Sequence, residues 1–324
     1  MGLQHRIRNM KIVYGILLGL LLSFAANAQF PTKPVRIIVP YTPGGGTDII
    51  SRALAARMQE TWGQQVLVEN RPGANGIIGT DVMVKSPPDG HVVAMVVGAH
   101  VVNAVLQKDM PFDPIADTTA VTLVATSPWV IGIWPGVPAQ NLREFIAYAK
   151  ANPGKLRFGS SESSSRLAGE QFKQVAGVDL VHVPYKGGAQ IVQDMLGGHV
   201  EVGFTSVLTF LAHHKSGKLR ILAVGGRTRA GAMPEVPTAA EAGLPGYETY
   251  VWYGMYAPKG TPAPIVARIQ QEIARLVKLP EFAERFANLG ADAVASTPEE
   301  FAAFTRLEHQ KFAKLVKAAN IQPE

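Results

Sequence analysis

Val35-Arg36-Ile37-Ile38-Val39 runs into Pro40-Tyr41-Thr42-Pro43-Gly44-Gly45-Gly46-Thr47-Asp48, and a helical pattern follows at once, with Ile50, Leu54 and Met58 spaced four apart. The apolar run suits a buried strand, the prolines and glycines end it, and the spacing predicts a helix with one buried face. Thr47 or Asp48 is the expected N-cap. A strand, a tight turn and a helix start in that order aim unpaired backbone N–H groups, and the positive end of the helix dipole, at one point. Glycines there let an anion approach the main chain. Most glycine turns only redirect the chain, so this stretch alone leaves both roles open. No Gly-Lys-Ser/Thr closes it, so it is not a P-loop, and the Gly-x-Gly-x-x-Gly of dinucleotide sites is absent.

The same alternation recurs. Gln65 to Asn70 reads as a strand, Arg71-Pro72-Gly73-Ala74-Asn75-Gly76 as a second glycine turn, and Ile77 to Val84 as a helix. His91 to Val97 is a strand before a loop, Gly98-Ala99-His100. Leu156 to Phe158 leads through Gly159-Ser160-Ser161-Glu162-Ser163-Ser164-Ser165 into a helix with Ala168, Phe172 and Val175 on one face, its hydroxyls available as caps. His182-Val183-Pro184 leads through Tyr185-Lys186-Gly187-Gly188 into another helix, and Val200 to Phe204 is a strand ending at Thr205-Ser206. Such alternation predicts an α/β fold with parallel or mostly parallel sheets flanked by helices. Ligands of such sheets bind at loops following the carboxyl ends of strands.

Two segments break the rhythm. Val121 to Ala125 and Val130 to Trp134 flank Ser127-Pro128, the expected first crossing between two lobes, and the aromatic run Tyr250 to Tyr256 is the expected return. Asn141 with Glu144 predicts a capped helix. Pro234 to Thr238 predicts a short helix ending near Gly243, and Thr297-Pro298-Glu299-Glu300 opens the helical tail.

The first residues have the order of an export signal. Arg6, Arg8 and Lys11 precede an apolar stretch from Ile12 to Ala26, and Ala26-Asn27-Ala28 predicts cleavage after Ala28, with residues 1–28 removed and export to the periplasm as a soluble chain. Cleavage would change the balance from 31 Lys+Arg against 25 Asp+Glu to 28 against 25, so the basic character owes much to the signal. No basic run interleaved with aromatics remains, which argues against nucleic acid.

Cysteine is absent, which excludes disulfides, thiolate metal sites, a cysteine nucleophile and a lipid-bearing N-terminal cysteine. The eight histidines form no His-x-His or His-Glu-x-x-His pattern, so no metal site is expected. Gly-x-Ser-x-Gly is missing, and no pair of carboxylates is placed for acid–base work. Nothing here supports an enzyme or a cofactor.

Taken together, the turns form a family pattern. Val39 to Asp48, Glu69-Asn70-Arg71-Pro72-Gly73, Pro88-Asp89-Gly90, Pro184-Tyr185-Lys186-Gly187-Gly188, Pro237 to Gly246, Trp252-Tyr253-Gly254 and Ala257-Pro258-Lys259-Gly260-Thr261-Pro262 occur in order. The chain resembles the Bug family, the periplasmic substrate-binding proteins of tripartite tricarboxylate transporters. The resemblance implies a two-lobed periplasmic-binding-protein (type II) fold, each lobe a mostly parallel sheet flanked by helices, joined by two crossing strands. The expected division is residues 29–126 plus 252–324 for lobe 1 and 127–251 for lobe 2. It implies a monomer that closes on a small organic carboxylate and delivers it to the large and small membrane subunits of a permease. The alternative is a sensing module presented to a sensor-kinase ectodomain; an exported hydrolase is a distant third.

By position, Tyr41, Gly44, Gly45, Gly46, Thr47 and Asp48 match the family's first binding loop, and Ser160, Ser161, Ser164 and Ser165 its Gly-Ser loop. His100 stands at a cleft loop, where it is either a ligand contact or, more often for a single histidine, a structural residue; Tyr185, Thr205 and Ser206 stand at further strand ends as candidate ligand contacts. The second loop departs from the family, which usually has another glycine near Glu162 and a histidine where Arg166 stands. Arg166 is either a candidate contact for an anionic ligand or a surface residue.

Overall fold

One long strand belongs to two sheets. The computed structural model of the chain describes residues 30–288, 290–318 and 321; the export signal read in residues 1–28 lies outside them. In chain order the first elements are β1 (Val35–Val39), α1 (Gly46–Trp62), β2 (Val66–Asn70), a single 3-10 turn at Ala74–Gly76, α2 (Ile77–Val84), β3 (Val92–Val96), α3 (Ala99–Leu106) and β4 (Thr118–Ile133). There follow α4 (Leu142–Ala151), β5 (Arg157–Ser160), α5 (Ser163–Ala176), β6 (Val181–Pro184), α6 (Gly188–Leu196), β7 (Val202–Ser206), α7 (Val207–Lys215) and β8 (Arg220–Val224). The chain then forms β9 (Tyr250–Pro258), α8 (Ala263–Val277), α9 (Pro280–Asn288), β10 (Asp292–Ala293) and α10 (Pro298–Ala318).

The first sheet has the order β2-β1-β3-β9-β4, with β10 also on β4. Its β1 pairs in parallel with β2 and β3, while β9 runs antiparallel to β3 and to β4 from Thr118 to Pro128. Beyond Pro128 the same β4 changes partners: Trp129 to Ile133 pairs antiparallel with β7, and Val130 to Ile133 with β8. Parallel pairs β5–β7 and β5–β6 complete the second sheet. Each sheet therefore combines parallel βαβ units with the antiparallel strands that join the lobes.

Helices bury both faces of each sheet. Ile50, Leu54 and Met58 of α1 are buried against β1 together with Ile269 and Ile273 of α8, as the fourfold spacing predicts. Phe301 and Phe312 of α10 close the opposite face over Trp252 and Tyr256. In the second sheet Phe172 packs against Phe204, Tyr247 and Phe145 at centroid distances of 5.4, 5.7 and 6.0 Å. Each such buried ring contributes about 1.5–3 kcal/mol through area removed from water.

Four local expectations change. His100 lies inside α3, not in a loop. The helix expected from Pro234 is only a set of turns: Thr238 bridges to Val224, and Gly243, at φ 94°, ends the turn before a second can form. Val175 is exposed, so α5 buries Leu167, Ala168 and Phe172 instead. The N-cap of α1 is Gly45, placing Thr47 and Asp48 within the helix.

Candidate functional site

That early start of α1 shapes the cleft. Its cap, Gly45, has no side chain to offer, and the same holds for Gly187 at α6; the side chain of Ser206, capping α7, makes no cap hydrogen bond. These three helix starts converge on a cavity of about 40 Å³ between the sheets. Tyr41, Thr42, Gly45, Gly46 and Thr47 form one wall, and Ser161, Glu162, Gly187, Gly188, Thr205, Ser206 and Thr209 the other. Val97, Trp129, Val251 and Tyr253 supply the apolar part. Among these lining residues there is no Arg, Lys or His. The positive groups at this cavity are thus backbone amides and helix dipoles, which are fixed in direction.

The walls touch. A Cβ at Gly187 would overlap the Thr42 side chain, and one at Gly46 would overlap the Tyr253 hydroxyl and lie 3.0 Å from Leu208 Cδ1. Thr42 Oγ1, buried and lacking a hydrogen-bond partner, sits in this lining. Across the lobes Ser163 Oγ donates to Asn103 Oδ1 at 2.7 Å.

Asp48 anchors the loop. Its buried carboxylate accepts from Gly44 N at 3.1 Å, Arg52 Nε at 3.0 Å and Asn70 Nδ2 at 3.0 Å, and Asn70 Nδ2 also donates to Tyr41 O. Burial alone would raise its pKa, but Arg52, the Gly44 N–H and Asn70 outweigh it and hold the group below the usual carboxylate value. A lowered carboxylate pKa stabilises the fold above the unfolded value, and that contribution is lost as pH falls through the folded one. Asp48→Asn is therefore expected to lose about 1–3 kcal/mol at neutral pH. In urea denaturation the gap to wild type should close below about pH 4; a constant gap would show that charge is not the cause.

The second loop is capped by a residue that its serines concealed. Glu162, 5 % exposed, is the N-cap of α5. Its Oε2 accepts from Ser164 N and Ser164 Oγ, both at 2.7 Å, and Oε1 accepts from Ser165 N at 3.1 Å. Ser165 Oγ reciprocates by accepting from Glu162 N at 3.2 Å and Ser161 N at 2.9 Å. This is a capping box with the acid and the hydroxyl exchanged. Burial raises the Glu162 pKa despite these donors. Its charge in turn adds to burial in raising the pKa of Tyr41 and Tyr253, which remain protonated phenols.

The fifteen residues expected at the site are thus divided. Tyr41, Gly45, Gly46, Thr47, Ser161, Thr205 and Ser206 line the cavity. Ser160, Arg166 and Tyr185 line a second one of about 180 Å³ that Glu162 also borders. There Ser160 Oγ lies 2.6 Å from His182 Nε2, and Tyr185 Oη donates to Asp194 at 2.7 Å. Ser164 borders a third hollow beside Leu167 and Lys311. Gly44, Asp48, Ser165 and His100 line none of these three. His100 is buried with Nε2 2.9 Å from Pro114 O and its ring against Tyr256; burial lowers its pKa to about 4, leaving it neutral. Lining residues not singled out by sequence are Thr42, Val97, Trp129, Glu162, Gly187, Gly188, Thr209, Val251 and Tyr253. For Glu162 a signal was present: an acid three residues before Ser165 at a helix entrance.

Among the described residues no helix is long and apolar enough to cross a membrane, and no cluster of His, Asp and Glu fits a metal ion. A family model described as the tripartite tricarboxylate transporter family receptor matches residues 50–321. Protein BugT of Bordetella pertussis is 35% identical over 292 residues, covering 89% of this chain and 90% of that protein. Among solved structures, R. palustris Rpa4515 with adipate aligns with a TM-score of 0.89 at 32% identity, over 91% of this chain and 100% of that one. MatC from Rhodopseudomonas palustris with bound malate aligns with a TM-score of 0.84 at 28% identity, over 89% and 100%. Matched by that model and by such relatives along most of its length, the chain belongs to the tripartite tricarboxylate transporter receptor family, whose Bug-type members are periplasmic solute-binding proteins and not enzymes.

Proposed function

We propose that this chain captures a small organic carboxylate in the cleft between its lobes and delivers it to the large and small membrane subunits of a tripartite tricarboxylate-type permease. The observation that carries the reading is the convergence of three helix starts without side-chain caps on a cavity lined by no cation. Oriented amides of that kind hold a carboxylate through charge-assisted hydrogen bonds. The adipate and malate of the two structural relatives support the ligand class. In this reading residues 1–28 are removed on export, the mature chain is a monomer, and residues 29–126 with 252–324 move against 127–251 about the paired strands β4 and β9.

Thermal-shift screening of the mature chain against a carboxylate library, followed by calorimetry, tests the ligand class. A ligand at a hundred times its Kd is expected to stabilise the native state by about 2.7 kcal/mol. Small-angle scattering with that ligand should show contraction without unfolding. A library that leaves the melting temperature unmoved would defeat the carboxylate reading. Ligand-dependent capture of the permease subunits tests delivery, and capture of a sensor-kinase ectodomain instead would redirect it.

A further inference from the structure

The four helix starts around the cleft are not equivalent. Those of α1, α6 and α7 lack side-chain caps, whereas that of α5 is filled from within by the Glu162 carboxylate. The N–H groups of Ser164 and Ser165 bond to Glu162, those of Ser161 and Glu162 bond to Ser165 Oγ, and that of Arg166 bonds to the Glu162 carbonyl. Little of this helix start is left for an external anion. Glu162 is 5 % exposed and is the one acid among the residues lining the cavity.

Resting on the carboxylate-receptor reading, we infer that Glu162 is a specificity-determining residue that takes the place of a second ligand anion, so that the cleft accepts one carboxylate together with an ammonium group and rejects dicarboxylates. The uncapped starts of α1, α6 and α7 hold the ligand carboxylate. A second carboxylate brought to Glu162 would either meet a like charge in a water-poor space or require one of the two acids to take up a proton, and either costs affinity more than a surface repulsion. An ammonium there gains a charge-assisted bond and offsets the desolvation of the buried acid. Tyr41 and Tyr253 line the same cavity as Glu162. Arg166 and His182 border Glu162 from the second cavity and are absent from the lining of the first.

The test is calorimetry on the mature chain with two length-matched sets: malonate, β-alanine and propanoate, then succinate, γ-aminobutyrate and butanoate. In the better-fitting set the amino acid is expected to bind the wild type at least about tenfold more tightly than the dicarboxylate. Glu162→Gln keeps an acceptor oxygen for the α5 amides and should weaken the amino acid by roughly tenfold to a hundredfold while strengthening the dicarboxylate. Glu162→Gly, a tolerated N-cap exchange, empties the helix start and should strengthen the dicarboxylate further. Circular dichroism and melting curves establish that both variants fold. A dicarboxylate equal to or tighter than its amino counterpart in the wild type, or an order unchanged by Glu162→Gln, would overturn the inference while leaving the receptor reading intact. Absence of binding by every probe and by the whole carboxylate library would overturn both.

Discussion

Gly187→Val is expected to leave each lobe folded and to lower carboxylate affinity by about a hundredfold or more. Gly187 is extended, with φ −178° and ψ 158°, so a side chain there strains no backbone. Its obstacle lies across the cleft: a Cβ would overlap Thr42 Oγ1 and lie 3.1 Å from Thr42 Cβ. Rotating Thr42 removes the first contact but not the second, and valine adds two methyl groups to the same space. The clash exists only when the two walls meet, so the variant should populate an open form that lacks half of the ligand contacts. Affinity is then reduced by the fraction of molecules able to close. Calorimetry gives the loss, and scattering should show contraction with ligand in the wild type only. Wild-type affinity in the variant would mean that the carboxylate binds without the walls meeting.

Gly46→Val acts on the anion site itself. A Cβ at this first residue of α1 would overlap the buried Tyr253 hydroxyl and press on Leu208. It would also crowd the amides that the ligand is to use. Charge-assisted bonds to such amides are worth about 1.5–3 kcal/mol each, so losing two weakens binding by roughly two to four powers of ten. His213→Ala, at the far end of α7, is the control and should retain wild-type affinity. If Gly46→Val folds and binds as the wild type does, the anion is held elsewhere, and the second cavity with Arg166 becomes the place to look.

Much of the fold was legible because its signals are local. The spacing of Ile50, Leu54 and Met58, the Asn141–Glu144 cap and the Thr297–Glu300 helix entrance all depend on neighbours a few residues away, and each appears as read. The errors share a cause as well. Thr47 and Asp48 are favourable caps, but Arg52 and Asn70 draw Asp48 into the helix and leave Gly45 as the cap. His100 follows a strand, where cleft residues are expected, yet packing against Tyr256 and Phe112 turns it into the core. Among the serines after Gly159, Ser161 lines the cavity and Ser165 joins the capping box, while the N-cap itself is the acid between them.

By itself the sequence determined the strand–turn–helix order, the glycine turns, the absence of thiol chemistry and, through the order of its motifs, the family. These follow from backbone conformational limits and from hydrophobic periodicity, which act over a few residues at a time. Which helix starts face one another, and which of them is already occupied, depended on tertiary structure alone. Gly45, Glu162, Gly187 and Ser206 are far apart in the chain, and only the shared strand β4 and its partner β9 bring their loops to one cavity. The Glu162 carboxylate is held at the start of α5 because burial and the α5 amides leave it no solvent to turn toward.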